Sequence, residues 1–219
     1  LKNNEIDVLI RNTTWTQSRD PDIVMYFAPT TYYDGQQVMG RRDQGFSEDS
    51  TLADVDGDIL CTNAGTPTEK NSSEGAAISG ATITLETVET FPEAMEKFQA
   101  GTCDLVTTDG SGLVGNKATQ DPGDEWVIFP RAPISKEPLG PVYRQNDSQW
   151  GDIINWTVYA TIIADEYGVT SANADAGDER PEVSRLFGGE GELQTKMGLN
   201  ADAFFQVITQ VGNYDEIYA

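Results

Sequence analysis

The 219-residue sequence predicts an α/β fold, with a mostly parallel sheet covered by helices. Three observations carry that reading. From Asp56 onward, short runs rich in β-branched residues alternate with helical stretches across short links. One of those stretches, at Thr66, opens on a capping residue with Pro67 at the first helical position. Apolar runs recur along the whole chain, with no internal repeat and no low-complexity tract.

In order, "LKNNEIDVLI" reads as a helix end, a turn and a buried strand over residues 7–10. The polar loop "RNTTWTQSRD" follows. "IVMYFAPTTYYDGQQVMGRR" reads as extended chain broken at Pro29. The alternation then runs strand "DILCT", helix 66–78, strand "ATITLETV", helix 91–99, strand "CDLVTT", weak helix 113–118 and strand "EWVIFP". A second extended run, "LGPVYRQ", leads to a long helix over residues 148–167. There Trp150, Ile154, Val158 and Ile162 recur every four residues, with Ile153 beside them. A Gly- and acid-rich stretch with a short helix over 181–186 precedes a last helix marked by Phe204, Val207, Ile208 and Val211 and closed by Gly212 and Asn213.

Asp and Glu total 36 against 14 Lys and Arg, a formal net charge of −22. Such a chain repels nucleic acid and anionic membranes. The acid is dispersed, which reads as a solvating surface; adaptation to high salt, which screens self-repulsion, is one cause to expect. No run reaches the roughly 18 apolar residues of a membrane span. The chain starts at Leu1 without Met and shows no signal peptide, so an upstream segment is expected to have been removed or to be missing. Histidine is absent and the two cysteines, Cys61 and Cys103, form no CxxC, which argues against a zinc site. From the residues, the cysteines are either a disulfide between neighbouring strands or two buried thiols.

Three places have chemical content. In "NAGTPTEKN", Thr66 caps a helix, Pro67 takes the first helical position and Glu69 stands three after the cap, behind a strand and the turn at Gly65. This is either an ordinary capped helix or an anion site at a helix N-terminus. In "RNTTWTQSRD", Arg11, Asn12, Thr13, Thr14, Thr16 and Arg19 follow a strand end. Arg19 either captures a carboxylate bidentately or pairs with Asp20 or Asp22 at the surface. Asp109, directly after "CDLVTT", either receives an ammonium group or caps the next helix. All three lie where α/β sheets place ligands, beyond the strands' carboxyl ends. Together they suit a zwitterion. No histidine base, GxSxG, P-loop or GxGxxG competes.

At these residues the sequence resembles the extracytoplasmic polar and general L-amino-acid-binding proteins of ATP-binding-cassette importers. It does so through "IDVLIRNTTWTQSRD", "YYDGQQVM", "GTPTE", "GTCDLVTTDGSGL", "ISKEPLGPVYRQNDSQW" and "VGNYDEIY". The resemblance implies a two-lobed type II periplasmic-binding fold. Residues 1–31 and 142–219 belong to lobe one, 36–138 to lobe two, and 32–35 and 138–141 to the hinges. It further implies that Arg19 clamps an α-carboxylate with help from Asn12 and Thr14, that Thr66 adds a helix-terminus contact, and that Asp109 holds the α-ammonium. The role of Arg11 stays open. A Cys61–Cys103 disulfide is implied too. Two departures are visible. Pro67, which has no N–H to donate, stands where the family usually has Thr, and the first βαβ part of lobe one, with its side-chain pocket residues, is expected to be absent. The implied protein is periplasmic or extracellular, monomeric and without cofactor, delivering amino acids to membrane permease subunits. An enzyme on the same fold, such as a cyclohexadienyl dehydratase, or a receptor sensor domain are the alternatives. Asn-x-Ser/Thr sequons stand at Asn12, Asn71, Asn146 and Asn155.

Overall fold

The computed structural model describes residues 1, 3–19, 25–176, 180–189 and 192–219. In chain order the strands are β1 Val8–Leu9, β2 Met25–Phe27, β3 Tyr32–Asp34, β4 Gln36–Arg41, β5 Ile59–Asn63, β6 Thr84–Val88, β7 Leu105–Asp109, β8 Trp126–Phe129, β9 Glu137–Leu139 and β10 Val142–Arg144. The helices are α1 Pro67–Ser79, α2 Phe91–Gln99, α3 Gly110–Thr119, α4 Ser148–Glu166, α5 Pro181–Leu186, α6 Leu193–Lys196, α7 Ala203–Val211 and α8 Tyr214–Tyr218. Two compact units result: Leu1–Thr31 with Gly140–Ala219, and Tyr32–Leu139.

The central unit, residues 32–139, is built on a five-stranded sheet in the order β6-β5-β7-β4-β8. β5 runs parallel to β6 and β7, whereas β4 is antiparallel to both β7 and β8. Four strands therefore share one direction and β4 opposes them, a mixed sheet where the sequence predicts a mostly parallel one. The reason is connectivity. The parallel strands are linked through helices, but β4 follows β3 after a single residue, Gly35, and enters the sheet with no crossover helix. Beside this sheet, β3 and β9 form an antiparallel pair.

Strand alternation sorts this unit's side chains onto two faces. Val38, Leu60, Leu105 and Val127 join Ala76 of α1 in one core. Their neighbours Met39, Cys61, Val106 and Trp126 join Ala94, Met95 and Phe98 of α2 and Leu113 of α3 in the other. The second core holds the Cys61–Cys103 disulfide, across 42 positions of chain, so the expected pairing is formed. The Arg41 guanidinium lies 4.2 Å over the Phe98 ring and donates to the Phe98 carbonyl, covering the end of α2.

The outer unit, residues 1–31 and 140–219, has a three-stranded antiparallel sheet in the order β1-β10-β2. Its helices close over small clusters, one around Ala164, Val183 and Ile208 and another around Ala160, Leu186 and Phe204. Three readings differ here. The first strand shrinks to Val8–Leu9 with Ile10 69% exposed, because the pairing to β10 covers just Val8 and Leu9. In α4 the fully buried positions are Gly151, Ala160, Thr161 and Ala164, and the predicted stripe from Trp150 to Ile162 is half-buried. Small residues let α4 approach its neighbours closely; a Cβ at Gly151 would stand 2.7 Å from the Tyr143 ring. Finally, Gly212 and Asn213 end α7 as expected, but Asn213 also starts α8 by a capping box with Glu216.

Candidate functional site

The central unit's candidate residues stand at two strand ends. β5 stops at Asn63, and Gly65, at φ 68°, turns the chain into α1; a side chain would strain that backbone. The Thr66 hydroxyl accepts from the Glu69 N–H at 3.2 Å and donates to the Asn63 carbonyl at 2.8 Å. Pro67 occupies the first helical position, as predicted. The Glu69 carboxylate, however, takes the N–H of Gly65 at 2.6 Å, where a standard capping box would take that of Thr66. With Pro67 lacking an N–H and Glu69 capped by Thr66, the N–H groups left at this helix start, among the described residues, are those of Thr66 and Thr68. An anion approaching α1 meets those two donors and the positive end of the helix dipole.

One strand over, β7 ends on Asp109, whose side chain is 4% exposed. It precedes α3 but makes no side-chain cap to it. That role falls to Asp34, whose carboxylate accepts from the Ser111 N–H at 3.3 Å and from the Ser111 hydroxyl. The capping reading of Asp109 is thus replaced by a residue 75 positions upstream, which the local sequence could not reveal; α3 accordingly begins at Gly110, three residues before the predicted start. A Cβ at Gly110 would stand 2.3 Å from Gln37 Oε1, so glycine lets β4 and the start of α3 come together.

In the outer unit, Thr14 is 5% exposed and anchors the loop after β1. Its carbonyl accepts the Arg19 guanidinium, Nη1 to O 2.9 Å. The Arg19 backbone N–H bonds the Thr16 carbonyl at 3.1 Å and the Thr16 hydroxyl at 3.3 Å. The segment folds back so that residues 14, 16 and 19 form one cluster, with Arg19 half-buried. Asn12 and Arg11 are exposed at the head of the same loop, where the Arg11 carbonyl accepts from the Thr13 N–H at 2.7 Å. Trp15 stacks on Phe27 of β2, centroids 5.5 Å apart, pinning the loop to the sheet. Sequence reading passes over Trp15 as a polar-loop residue; an aromatic between two threonines was the available signal. Asp20 and Asp22, the surface partners weighed for Arg19, lie outside the described residues.

Each unit therefore groups the candidates it carries: Thr14 and Arg19 with Arg11 and Asn12 in one, Thr66 and Asp109 in the other. An apolar groove of the outer unit, lined by Trp156, Ile163, Leu186, Met197 and Phe204, contains none of them. Among the described residues, no cluster of three or more acidic or cysteine side chains is placed to hold a metal ion, and no helix is long and apolar enough to cross a membrane.

No protein-family model matches the chain. It is 42% identical over 221 residues to the glutamate/glutamine/aspartate/asparagine-binding protein of Rhodobacter capsulatus, and 43% over 222 residues to the general L-amino acid-binding periplasmic protein of Rhizobium johnstonii. In both cases all of this chain is covered, and the chain spans 64% of the relative's length. Among solved structures, a periplasmic binding protein of an ABC transporter from Brucella ovis, with glutathione bound, superimposes with a TM-score of 0.93 at 38% identity. That match covers 100% of this chain and 68% of the other. The type II periplasmic-binding fold expected from the sequence is thereby shown, as is a kinship with proteins of the periplasm.

Proposed function

The chain belongs to the periplasmic binding proteins of ATP-binding-cassette transporters, and from that premise we propose that it binds free L-amino acids outside the cytoplasm and hands them to the permease subunits of an importer. The observation that carries the reading lies within the central unit. A carboxylate, Asp109, is buried at the end of β7, and the start of α1 stands at the end of the neighbouring strand β5. A cation reader and an anion reader side by side fit the ammonium and carboxylate of an α-amino acid. Arg19 adds a guanidinium whose Nη1 is held by the Thr14 carbonyl, which pre-orients the planar fork for a carboxylate. In this reading Asn12 and Thr14 shape the carboxylate pocket, Arg11 stands beside it, and the Thr66 contact comes from the backbone N–H, since its hydroxyl is engaged at both ends. The two units act as the lobes, with the crossings near residues 32–35 and 138–141 as hinges.

The role is binding and not catalysis. The sequence contains no histidine to act as general base, and the relatives above are named for binding. A second reading concerns ligand size. Glutathione, held by the Brucella ovis protein, carries a free α-amino-acid head on its γ-glutamyl residue. The same readers would accept that head and leave the rest of the tripeptide to other residues.

Titration calorimetry separates these readings. L-Glutamate, L-glutamine, L-aspartate and L-asparagine are titrated beside their α-amides, their α-hydroxy acids and glutathione. The proposal expects each backbone change to cost at least tenfold in affinity, equal to about 1.4 kcal/mol. Amides and hydroxy acids that bind as well as the parent amino acids would remove it, and tighter binding of glutathione would favour the larger ligand.

A further inference from the structure

Gln36 is buried completely, yet its side chain is polar. It opens β4 directly opposite Asp109 of β7, on the sheet face that α1 covers. Its Nε2 lies 2.9 Å from Ser72 Oγ and 3.2 Å from the Thr68 carbonyl, both in α1, and 3.0 Å from Thr107 Oγ1 in β7. The amide's orientation follows from its neighbours. Ser72 Oγ donates to the Thr68 carbonyl at 2.7 Å and Thr107 Oγ1 donates to the Gln37 carbonyl at 2.6 Å, so both hydroxyls turn lone pairs toward Nε2. The Thr62 hydroxyl of β5 completes the set by donating to the Thr107 carbonyl. Gln36 Oε1, by contrast, is buried without a hydrogen-bond partner among the described residues.

We propose that Gln36 is the positioning residue that fixes the first turns of α1 relative to the end of β7, and so sets the spacing between the anion-reading helix start and Asp109. The inference rests on the amino-acid-binding reading above. Two physical points support it. One amide bridges the two elements that carry Thr66 and Asp109, meeting the second and sixth residues of α1 and a residue two before Asp109. And a buried carboxamide with an orphan acceptor is a poor choice for stability, because an apolar group of the same shape avoids the desolvation of both ends. Retaining it makes sense where geometry matters more than stability, as buried polar groups do when they specify register.

The test uses Gln36→Met, which keeps the volume and removes both donors. Ser72→Ala, which deletes one acceptor of the same amide, serves if the first variant does not fold. Amide hydrogen exchange in the free protein is read at residues 68–72, and L-glutamine affinity by calorimetry. Expected are an unchanged or raised melting temperature, exchange at 68–72 faster by about tenfold while the rest of the sheet is unaltered, and L-glutamine binding weaker by about tenfold. The double variant should be no worse than Gln36→Met, since both break one link. Uniformly faster exchange with a fallen melting temperature would mean a merely structural residue, and wild-type exchange and affinity would overturn the proposal outright. Should the wild-type protein take up no L-amino acid, the functional reading falls, and the exchange measurement still decides whether Gln36 holds α1.

Discussion

The central and outer units support their candidate ligand-binding residues by different means. In the central unit five strands separate two cores, Trp126, Phe98 and Phe129 are buried, and a disulfide ties the edge of one core. Its candidate residues stand on a strand end and at the start of a 13-residue helix. The outer unit has strands of two or three residues and several small clusters, and leaves Trp15, Tyr26, Trp156 and Tyr159 more than 40% exposed. Its candidate, Arg19, is engaged by the Thr14 carbonyl and the Thr16 hydroxyl of its own loop. The contrast teaches where precision comes from: in one unit from packing, in the other from a short hydrogen-bonded fold of the loop itself.

Core truncation is the hardest blow to that contrast. Phe98→Ala, at a fully buried ring packed against Trp126, should cost about 3–5 kcal/mol in urea unfolding. Trp156→Ala in the outer unit, at a ring 44% exposed and touching Tyr159 edge-on, should cost about 1 kcal/mol or less. Comparable losses would mean the outer unit is better packed than described. Next comes the disulfide. Replacing Cys61 and Cys103 together by serine opens a loop spanning 42 positions and should lower stability by about 4 kcal/mol in the chain-entropy account. A change below about 1 kcal/mol would show that the sheet alone closes that loop.

Asp109→Ala separates binding from folding. Loss of a charged, buried hydrogen bond should weaken L-amino-acid affinity ten- to a hundredfold, about 1.5–3 kcal/mol. Unchanged calorimetric affinity would take Asp109 out of the site.

How much of this was legible in the sequence depends on range. Helix α2 falls at Phe91–Gln99, as predicted, because Thr90 and Glu93 form a capping box and Pro92 stands in the first turn, all within four residues. The start of α1 at Pro67 was equally local. The opposed direction of β4, the capping of α3 by Asp34 and the buried bridge of Gln36 depend on contacts across roughly 30 to 75 positions, which no window of sequence displays. The Cys61–Cys103 pairing is of that kind too. The residues left it open between bridge and thiols, and the family resemblance decided it. For the candidate site, the places of its residues at strand ends were readable, whereas the wiring around them, Thr14 to Arg19 and Glu69 to Gly65, was not.

A small effect sharpens the picture of the central unit. Burial, with Asp104 and Asp56 adding repulsion, holds the Asp58 pKa above the usual carboxylate value. An acid whose pKa is raised on folding binds more protons folded than unfolded, so stability falls as pH rises through that window. Asp58→Asn should therefore raise the melting temperature by a degree or two at pH 7, with the gain fading toward pH 4. A loss at pH 7 would mean that Asp58 is paired favourably.

The central claim is that the chain reads an amino acid by its backbone charges, and Arg19 carries the sharpest test of it. Affinities for L-glutamine and for its α-amide are measured by calorimetry on wild type and on Arg19→Lys. A lysine keeps the charge but cannot donate two parallel hydrogen bonds from one plane. The account predicts that wild type prefers the acid by at least tenfold, and that Arg19→Lys loses about ten- to a hundredfold for the acid, less for the amide, so that the gap narrows. Equal losses for acid and amide, or a change under about 1 kcal/mol for both as for a surface ion pair, would contradict it.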